Sequence, residues 1–269
     1  LDERVPDRLR AATGLFVQAA VKHSIPDAAK WLRQLLEKSP NALASNDGRA
    51  ALLSLDQLDH EAARPLLLEM FKGSDEALSA LAAALIFVRS FDDPRWSSER
   101  EMILDGNAEW RAAAAHVAAN VIDREVHDAD LNALIIAFFD DESELVRTAA
   151  ADVFRRLDTG AMVTHADLFR GFLNSKSFKG ERTYFLHRLE DAPAALDSLV
   201  LELVELAATK ISTAATNRGT IGYSLWEPLM RIYTSNATDA DIRKRCLDII
   251  DTLVTNDIGG SDKLQEATW

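Results

Sequence analysis

Apolar residues recur along almost the whole chain at intervals of three or four positions, the spacing of one helical face. In the segment 195–210 they form a single stripe, with Asp197, Glu202 and Glu205 off it. The stripe consists of Leu196, Leu199, Val200, Leu203, Leu206 and Ala207. Sustained alternation of apolar and polar residues, the mark of a β-strand, is absent from the sequence. The pattern predicts an all-α protein of about fourteen helices, whose short connections favour antiparallel hairpins.

Local signals mark the ends of several of these helices. Capping boxes, a proline at the first helical position and glycines just beyond the last turn are typical helix boundaries. The start signals are Thr164 with Asp167, Thr238 with Asp241, and Asp93 before Pro94, and the stop signals are Gly73 and Gly106.

The predicted hairpins also repeat. A shift of 36 residues superimposes residues 105–121 on residues 141–157. The matched pairs are Asp105 with Asp141, Arg111 with Arg147, Ala113–Ala115 with Ala149–Ala151, Val117 with Val153, and Val121 with Leu157. A further shift of 96 places Arg147 on Arg243. Periods of 30 to 40 residues in an all-helical chain predict a solenoid.

The stretch 134–157, LIIAFFDDESELVRTAAADVFRRL, resembles the HEAT-type helical repeat family. It shares that family's leucine-rich first helix, acidic turn, and second helix that begins with Val-Arg and alanine pairs. The resemblance implies that Asp141 and Arg147 stitch neighbouring repeats together, and that Asp105 and Arg111 do so in the preceding unit. The segment 225–253 matches at Arg243 but has Ala237 in place of the turn aspartate.

The resemblance implies a right-handed α-α superhelix of six or seven HEAT-like hairpins, with 1–269 as a single α-solenoid domain. Since the chain begins without Met, we expect it to be a fragment of a longer protein. The region 159–222 interrupts the rhythm of the repeats. Either one repeat has diverged around a surface loop, or the interruption marks a contact site.

Charge and cysteine content narrow the classes of function. The formal net charge is −13, which disfavours general nucleic-acid binding. Cys246 is alone and cannot form an internal disulfide, so a cytoplasmic location is the simplest expectation. The longest apolar run, residues 77–88, is too short to cross a bilayer, so we expect no membrane-spanning segment.

The charge is distributed unevenly. Residues 123–144 are strongly acidic, whereas residues 170–190 are basic and rich in aromatic side chains. The basic residues there are Arg170, Lys176, Lys179, Arg182 and Arg188. The simplest interpretation is a solvated helical face. The alternative is a docking site for an acidic or nucleic-acid ligand, and these five residues are the candidate partner-binding set.

The sequence offers little catalytic chemistry. The glycines form no phosphate-binding loop, and the histidines lack the spacing of metal ligands. The nearest approach to a metal cluster is 127–130, in an acidic linker, while Cys246 is expected to be a small buried thiol. We therefore predict no catalytic residue, no cofactor and no metal, and a protein that is not an enzyme.

Three functions remain open. The first is an interaction scaffold or sensor whose second helices line a concave face and bind a protein, or another domain of the same polypeptide. The chain weakly resembles the helical C-terminal regions of bacterial signalling NTPases, including those of phage defence. The second is a DNA glycosylase-like enzyme, with basic side chains around an aromatic residue and an acid such as Asp105. Since Trp110 takes the place of Val146, core packing is the expected role of this tryptophan. The third is an architectural spacer.

Overall fold

Regular structure in this chain is helical wherever it is described. The structure, a computed structural model, describes residues 27–38, 46–122, 129–179, 183–213, 218–236 and 238–256, with Ala19, His23 and Ile258. No strand occurs in these ranges, which confirms the all-α prediction. The first helices are α1 (Ala28–Lys38), α2 (Asn46–Leu58), α3 (His60–Phe71), α4 (Glu76–Arg89), α5 (Ser97–Leu104), α6 (Ala108–Val121) and α7 (Ala129–Phe139). The others are α8 (Glu144–Ala151), α9 (Val153–Arg156), α10 (Ala166–Asn174), α11 (Thr183–Glu190), α12 (Asp197–Thr213), α13 (Arg218–Ser235) and α14 (Ala240–Thr255).

Aspartates set several of the helix starts. The carboxylate of Asp59 accepts the backbone N–H of Ala62, and that of Asp75 accepts the N–H of Leu78, both at 3.0 Å. Such bonds satisfy amides that have no partner within the helix. Asp93 is the N-terminal cap before Pro94, as predicted, but the element that it caps is the short 3₁₀ turn Pro94–Trp96.

Two predicted capping boxes are displaced. The N-terminal cap of α14 is Asp239, one residue after Thr238, and its carboxylate accepts the N–H groups of Asp241 and Ile242. His165 stands at the cap of α10 in place of Thr164, without a side-chain capping bond. The helices themselves were predicted correctly, and only their first residues differ.

The chain divides into two compact units, Leu1–Val117 and Ala118–Trp269. In the first unit, α3 packs against α2 and α4, and α1 packs against α2 and α3. The stop signal at Gly106 is correct, because α5 ends just before it. A side chain there would collide with Trp110, since a Cβ would lie 2.4 Å from its ring. The residues that fill this core include Leu52, Leu66, Leu67, Phe71, Leu78, Ile86 and Phe87.

In the second unit the helices pack as two rows. The first-helix row runs α7, α10, α12 and α14, and each of these contacts the next. The second-helix row runs from α8 and α9 through α11 to α13. The alignment by 96 residues equates α14 with α8, yet α14 packs against α12 and so continues the first-helix row. The mismatch arises because 96 is not a multiple of the 36-residue repeat.

Six buried phenylalanines fill the space between the two rows. We call them the aromatic cluster: Phe139, Phe154, Phe169, Phe172, Phe178 and Phe185. Their ring centroids lie 4.8–6.4 Å apart, in largely edge-to-face or tilted pairs. Gly171 allows α10 to approach α7, since a Cβ there would lie 2.8 Å from the Ile136 side chain.

The region 159–222 contains short 3₁₀ turns at Gly160–Met162, Lys176–Lys179 and Ala194–Leu196. A 3₁₀ turn has fewer residues per turn than an α-helix, so it shifts the helical spacing of apolar positions. Between these turns the chain still forms α10, α11 and α12. The interrupted rhythm of the sequence thus coincides with tight connections between helices that remain in the two rows.

Candidate partner-binding surface

The five basic residues of segment 170–190 do not form one surface. Arg170, on α10, makes a bidentate ion pair with Glu202 of α12, at 2.6 and 3.0 Å, and a further bond to Asp167 at 3.1 Å. The hydrogen bond from Arg170 holds the pKa of Glu202 below its ordinary value, and Glu202 in turn raises the pKa of Arg170. Arg170 therefore links α10 to α12, two neighbours in the first-helix row, and carboxylates neutralise its charge.

Lys176 also binds within the protein. Its Nζ lies 2.6 Å from the Glu142 carboxylate, and its backbone N–H donates to Asp140 Oδ1 at 2.9 Å. The hydroxyl of Ser177 donates to the carbonyl of Phe139 at 2.8 Å. These bonds fasten the turn after α7 to the 3₁₀ turn Lys176–Lys179, and the ion pair lowers the pKa of Glu142.

Arg188 has a different role. Its Nε donates to the carbonyl of Phe154 at 2.8 Å, and its NH2 group donates to the carbonyl of Arg155 at 3.0 Å. The guanidinium thus satisfies free carbonyls at the end of α9, where positive charge is favourable. The side chain of Lys179 and all of Arg182 lie outside the described residues.

A basic surface forms around Arg188 from residues that the sequence analysis did not select. Arg155 lies over the ring of Tyr184, with its guanidinium carbon 4.8 Å from the ring centroid. Arg156 is exposed and has no hydrogen bond or ion pair within the described part of the chain. We call Arg155, Arg156, Tyr184 and Arg188 the arginine surface. Arg155 and Arg188 are 33 residues apart and occupy adjacent helices of the second-helix row, α9 and α11, so a search for charge along one continuous segment missed the pair.

Exposed side chains of α8 and α9 follow one stripe toward this surface. Asp152, between the two helices, keeps right-handed helical φ and ψ, so the stripe continues from Leu145 through Thr148 to Arg155. Leu145 is 52% exposed and Tyr184 is 44% exposed. The second-helix row therefore presents apolar surface beside the arginines.

Two of the predicted ladder residues form hydrogen bonds with the turn that precedes their own helix. Arg147 donates to the carbonyls of Asp141 and Glu142, at 2.7 and 2.9 Å, and Arg111 donates to the carbonyl of Gly106. These bonds hold each turn to the helix that follows it. Asp141 accepts the N–H of Ser143, and the Asp105 side chain is exposed at the end of α5.

Arg243 departs from this pattern. It donates to the Tyr233 hydroxyl at 2.7 Å and lies 4.6 Å from the centroid of that ring. It therefore ties α14 to α13, whereas Arg111 and Arg147 bind their own turns.

The first unit contains the densest set of charged contacts. We call Asp56, His60, Arg89, Asp93 and Arg95 the charged cluster. Asp56, whose side chain is 5% exposed, accepts Arg89 Nε at 2.7 Å and lies 2.8 Å from His60 Nδ1. Arg95 holds both oxygens of Asp93, which keeps the pKa of that carboxyl far below its usual range.

His60 lies between the two halves of this cluster. Its Nε2 is 3.4 Å from Asp93 Oδ2 and from the indole nitrogen of Trp96. Every arginine of the cluster binds a carboxylate, and His60 lies between the two ion pairs. The cluster therefore holds the ends of α2 and α4 to the turn at Pro94–Trp96.

Trp110 and Cys246, the aromatic and thiol candidates, pack against the core, whereas Asp105 is exposed. Trp110 lies 4.4 Å from the ring of Phe71, centroid to centroid, and its indole N–H donates to Ser79 at 2.8 Å. Trp96 and Trp226 are fully buried. Cys246 is a buried thiol as expected, and desolvation raises its pKa to about 11. Among the described residues, no group of three or more His, Cys, Asp or Glu side chains could hold a metal ion.

A comparison with models of known protein families finds no match, and a comparison with curated proteins finds none either. None of the described helices is both long enough and apolar enough to cross a membrane.

Proposed function

We propose that this protein is an interaction module built from HEAT-like helical repeats, in which the second-helix row receives a partner. The partner is another protein or another domain of the same polypeptide. Repeats of this family stack as a right-handed superhelix, and the proposal extends that arrangement to the hairpins of each unit. A single solenoid over 1–269 stays a prediction.

The observation that carries the proposal is the spacing of the longest-range side-chain hydrogen bonds. Arg64 to Arg95 spans 31 residues and Arg245 to Glu205 spans 40. Other such bonds fall between these limits, including Arg89 to Asp56, His165 to Asn132, Arg188 to Phe154 and Arg231 to Asp197. This spacing supports a repeat architecture, because each hairpin of a solenoid touches only its neighbours.

A nucleic-acid-processing enzyme gains no support from the described residues. That function requires an aromatic residue open to a base, and Trp110 is engaged by Phe71 and Ser79. Arg170 and Lys176 are engaged by carboxylates, so they do not extend a track for a phosphate backbone. An architectural spacer would not need exposed arginine side chains gathered on one row.

Photo-crosslinking in the native host tests the proposal. A photoreactive amino acid is placed at Thr148 or His187, exposed on second helices, and in matched variants at Ala133 or Ala137, exposed on α7. We expect discrete protein adducts from the second-helix positions and few from α7. Crosslinks mainly to nucleic acid, or equal adducts from both rows, would contradict the proposal.

A further inference from the structure

We propose that the arginine surface binds an acidic peptide segment of the partner, with an apolar side chain of that segment packed against the exposed ring of Tyr184. This inference rests on the proposed function and names the chemistry of the ligand. Charge complementarity and exposed apolar surface on the second-helix row carry it.

Among the described residues, carboxylates balance little of the positive charge of the arginine surface. The Arg156 side chain has no hydrogen-bond or ion-pair partner in the described ranges, and Arg188 donates its hydrogen bonds to neutral carbonyls. Arg155 is 54% exposed, and the carboxylate that it meets among the described residues, that of Asp152, lies 3.5 Å away. The neutralised bases of the same unit are much closer to their carboxylates, at 2.6 Å for both Arg170 and Lys176. A ligand carboxylate would therefore find unused donors here.

The surface is also held ready for a ligand. Arg188 fixes the end of α9 against α11 through two carbonyls, and the ring of Tyr184 limits the motion of Arg155. Side chains that are ordered before binding lose less conformational entropy on binding. Arginine forks bind carboxylates with two parallel hydrogen bonds, which gives this arrangement a geometric preference for glutamate and aspartate.

A peptide fits the surroundings better than a nucleic acid. The protein carries a net charge of −13, and the other described bases of segment 170–190 that could contribute to a phosphate track, Arg170 and Lys176, are neutralised. At physiological salt a charge acts over only about 8 Å, so a short acidic segment responds to the local arginines while a long polyanion also meets acidic surface. The exposed faces of Leu145 and Tyr184 suit a peptide side chain.

Fluorescence anisotropy with the full chain tests the inference. The probe is a short fluorescein-labelled peptide of glutamates around two central leucines. Its controls are the same peptide with glutamines and a single-stranded oligothymidine of equal length. We expect the glutamate peptide to bind, with an affinity that falls as salt rises, and the other two probes to bind at least about tenfold more weakly.

The double variant R155Q/R156Q should weaken peptide binding about tenfold or more, because it removes two exposed charges without disturbing the core. The matched control K72Q/K244Q removes two exposed lysines that have no partner among the described residues, and should stay within about twofold of the parent. R155K/R156K should recover part of the affinity, since it keeps the charge and loses the forks.

Equal losses in R155Q/R156Q and K72Q/K244Q would overturn the inference, and so would tighter binding of the oligothymidine than of the peptide. The crosslinking experiment tests the proposed function separately. If R155Q/R156Q still forms the protein adducts from Thr148 and His187, the interaction module stands and only the acidic ligand is wrong.

Discussion

The charged cluster of the first unit and the aromatic cluster of the second fasten neighbouring hairpins by opposite means. In the charged cluster, arginines meet aspartates at the ends of helices, as Arg89 meets Asp56 at 2.7 Å. In the aromatic cluster, Phe154 touches four other phenylalanines, and its ring has no exposed surface. The first depends on matched charge and the second on packed volume.

The difference bears on the arginines of the second unit, where Arg156 has no ion-pair partner among the described residues and Arg155 meets Asp152 only at 3.5 Å. Because the aromatic cluster holds α9 to α11 and α10 by packing, the charge of Arg156 is not needed to stabilise that contact. In the first unit, arginines stabilise the fold itself, since Arg89 and Arg95 each bind a carboxylate. Basic residues that the fold does not use are the ones available for a partner.

The largest expected effect is on the aromatic cluster. Phe154→Ala leaves a cavity among four rings and should lower the free energy of unfolding of this region by about 3–5 kcal/mol. Hydrogen exchange of α10 and α11 measures the change. Phe154→Leu is the control and should lose much less. A loss below about 1 kcal/mol for the alanine variant would show that the cluster contributes little.

Disrupting the charged cluster should lower the free energy of unfolding by a smaller amount. Asp56→Ala removes the carboxylate that binds Arg89 and His60, and should destabilise α2 and α4 by about 2 kcal/mol, since a half-buried arginine loses its partner. Exchange rates of amides in those two helices provide the measurement. The matched change Asp251→Ala removes an exposed carboxylate without a described partner and should be nearly neutral. Equal effects of the two variants would argue against a structural role for the cluster.

A smaller effect is expected from the pair of Arg170 and Glu202, and it depends on pH. Arg170 lowers the pKa of Glu202 from its ordinary value of 4.5, so the folded state binds the proton more weakly than the unfolded state does. The stabilisation is complete above pH 4.5 and is lost as pH falls through the folded pKa. Because Glu202 is 45% exposed, solvent screening limits it to about 1 kcal/mol or less. Melting curves of Glu202→Gln and the parent should differ at pH 7, and the difference should shrink as the pH falls below 4.5.

The smallest stability effect belongs to the arginine surface. Arg156→Gln should change the free energy of unfolding by no more than about 0.5 kcal/mol, because its exposed side chain makes no hydrogen bond or ion pair with the described residues. Urea unfolding followed by circular dichroism checks this. A large loss would mean that Arg156 is structural, and the contrast between the two units would disappear.

Helical periodicity predicted the fold well because it reports which side of a helix is buried. It was less successful for α12, where Leu201 and Val204 are buried in addition to the predicted Val200 and Leu203. A helix packed between two neighbours in its own row buries more than one stripe, and its sequence alone does not reveal the second contact. The capping residue Asp239 was missed because Thr238 and Asp239 both suit a cap.

The candidate site was predicted only in part, for a related reason. Sequence proximity grouped Arg170, Lys176 and Arg188, yet in the structure Arg188 lies beside Arg155, 33 residues earlier. Residues adjacent along a solenoid chain lie on different rows, whereas residues one repeat apart lie side by side. Charge is therefore better summed across equivalent positions of successive repeats than along a continuous segment.

The buried thiol of Cys246 has a practical consequence. With a pKa of about 11, only about one molecule in ten thousand carries the reactive thiolate at pH 7, and burial blocks access to that one. Toward maleimide reagents the native chain behaves as though it had no cysteine. A single cysteine introduced at Thr148 or His187 would carry a fluorophore alone, so the approach of a ligand to the second-helix row can be followed by distance without first removing the natural residue.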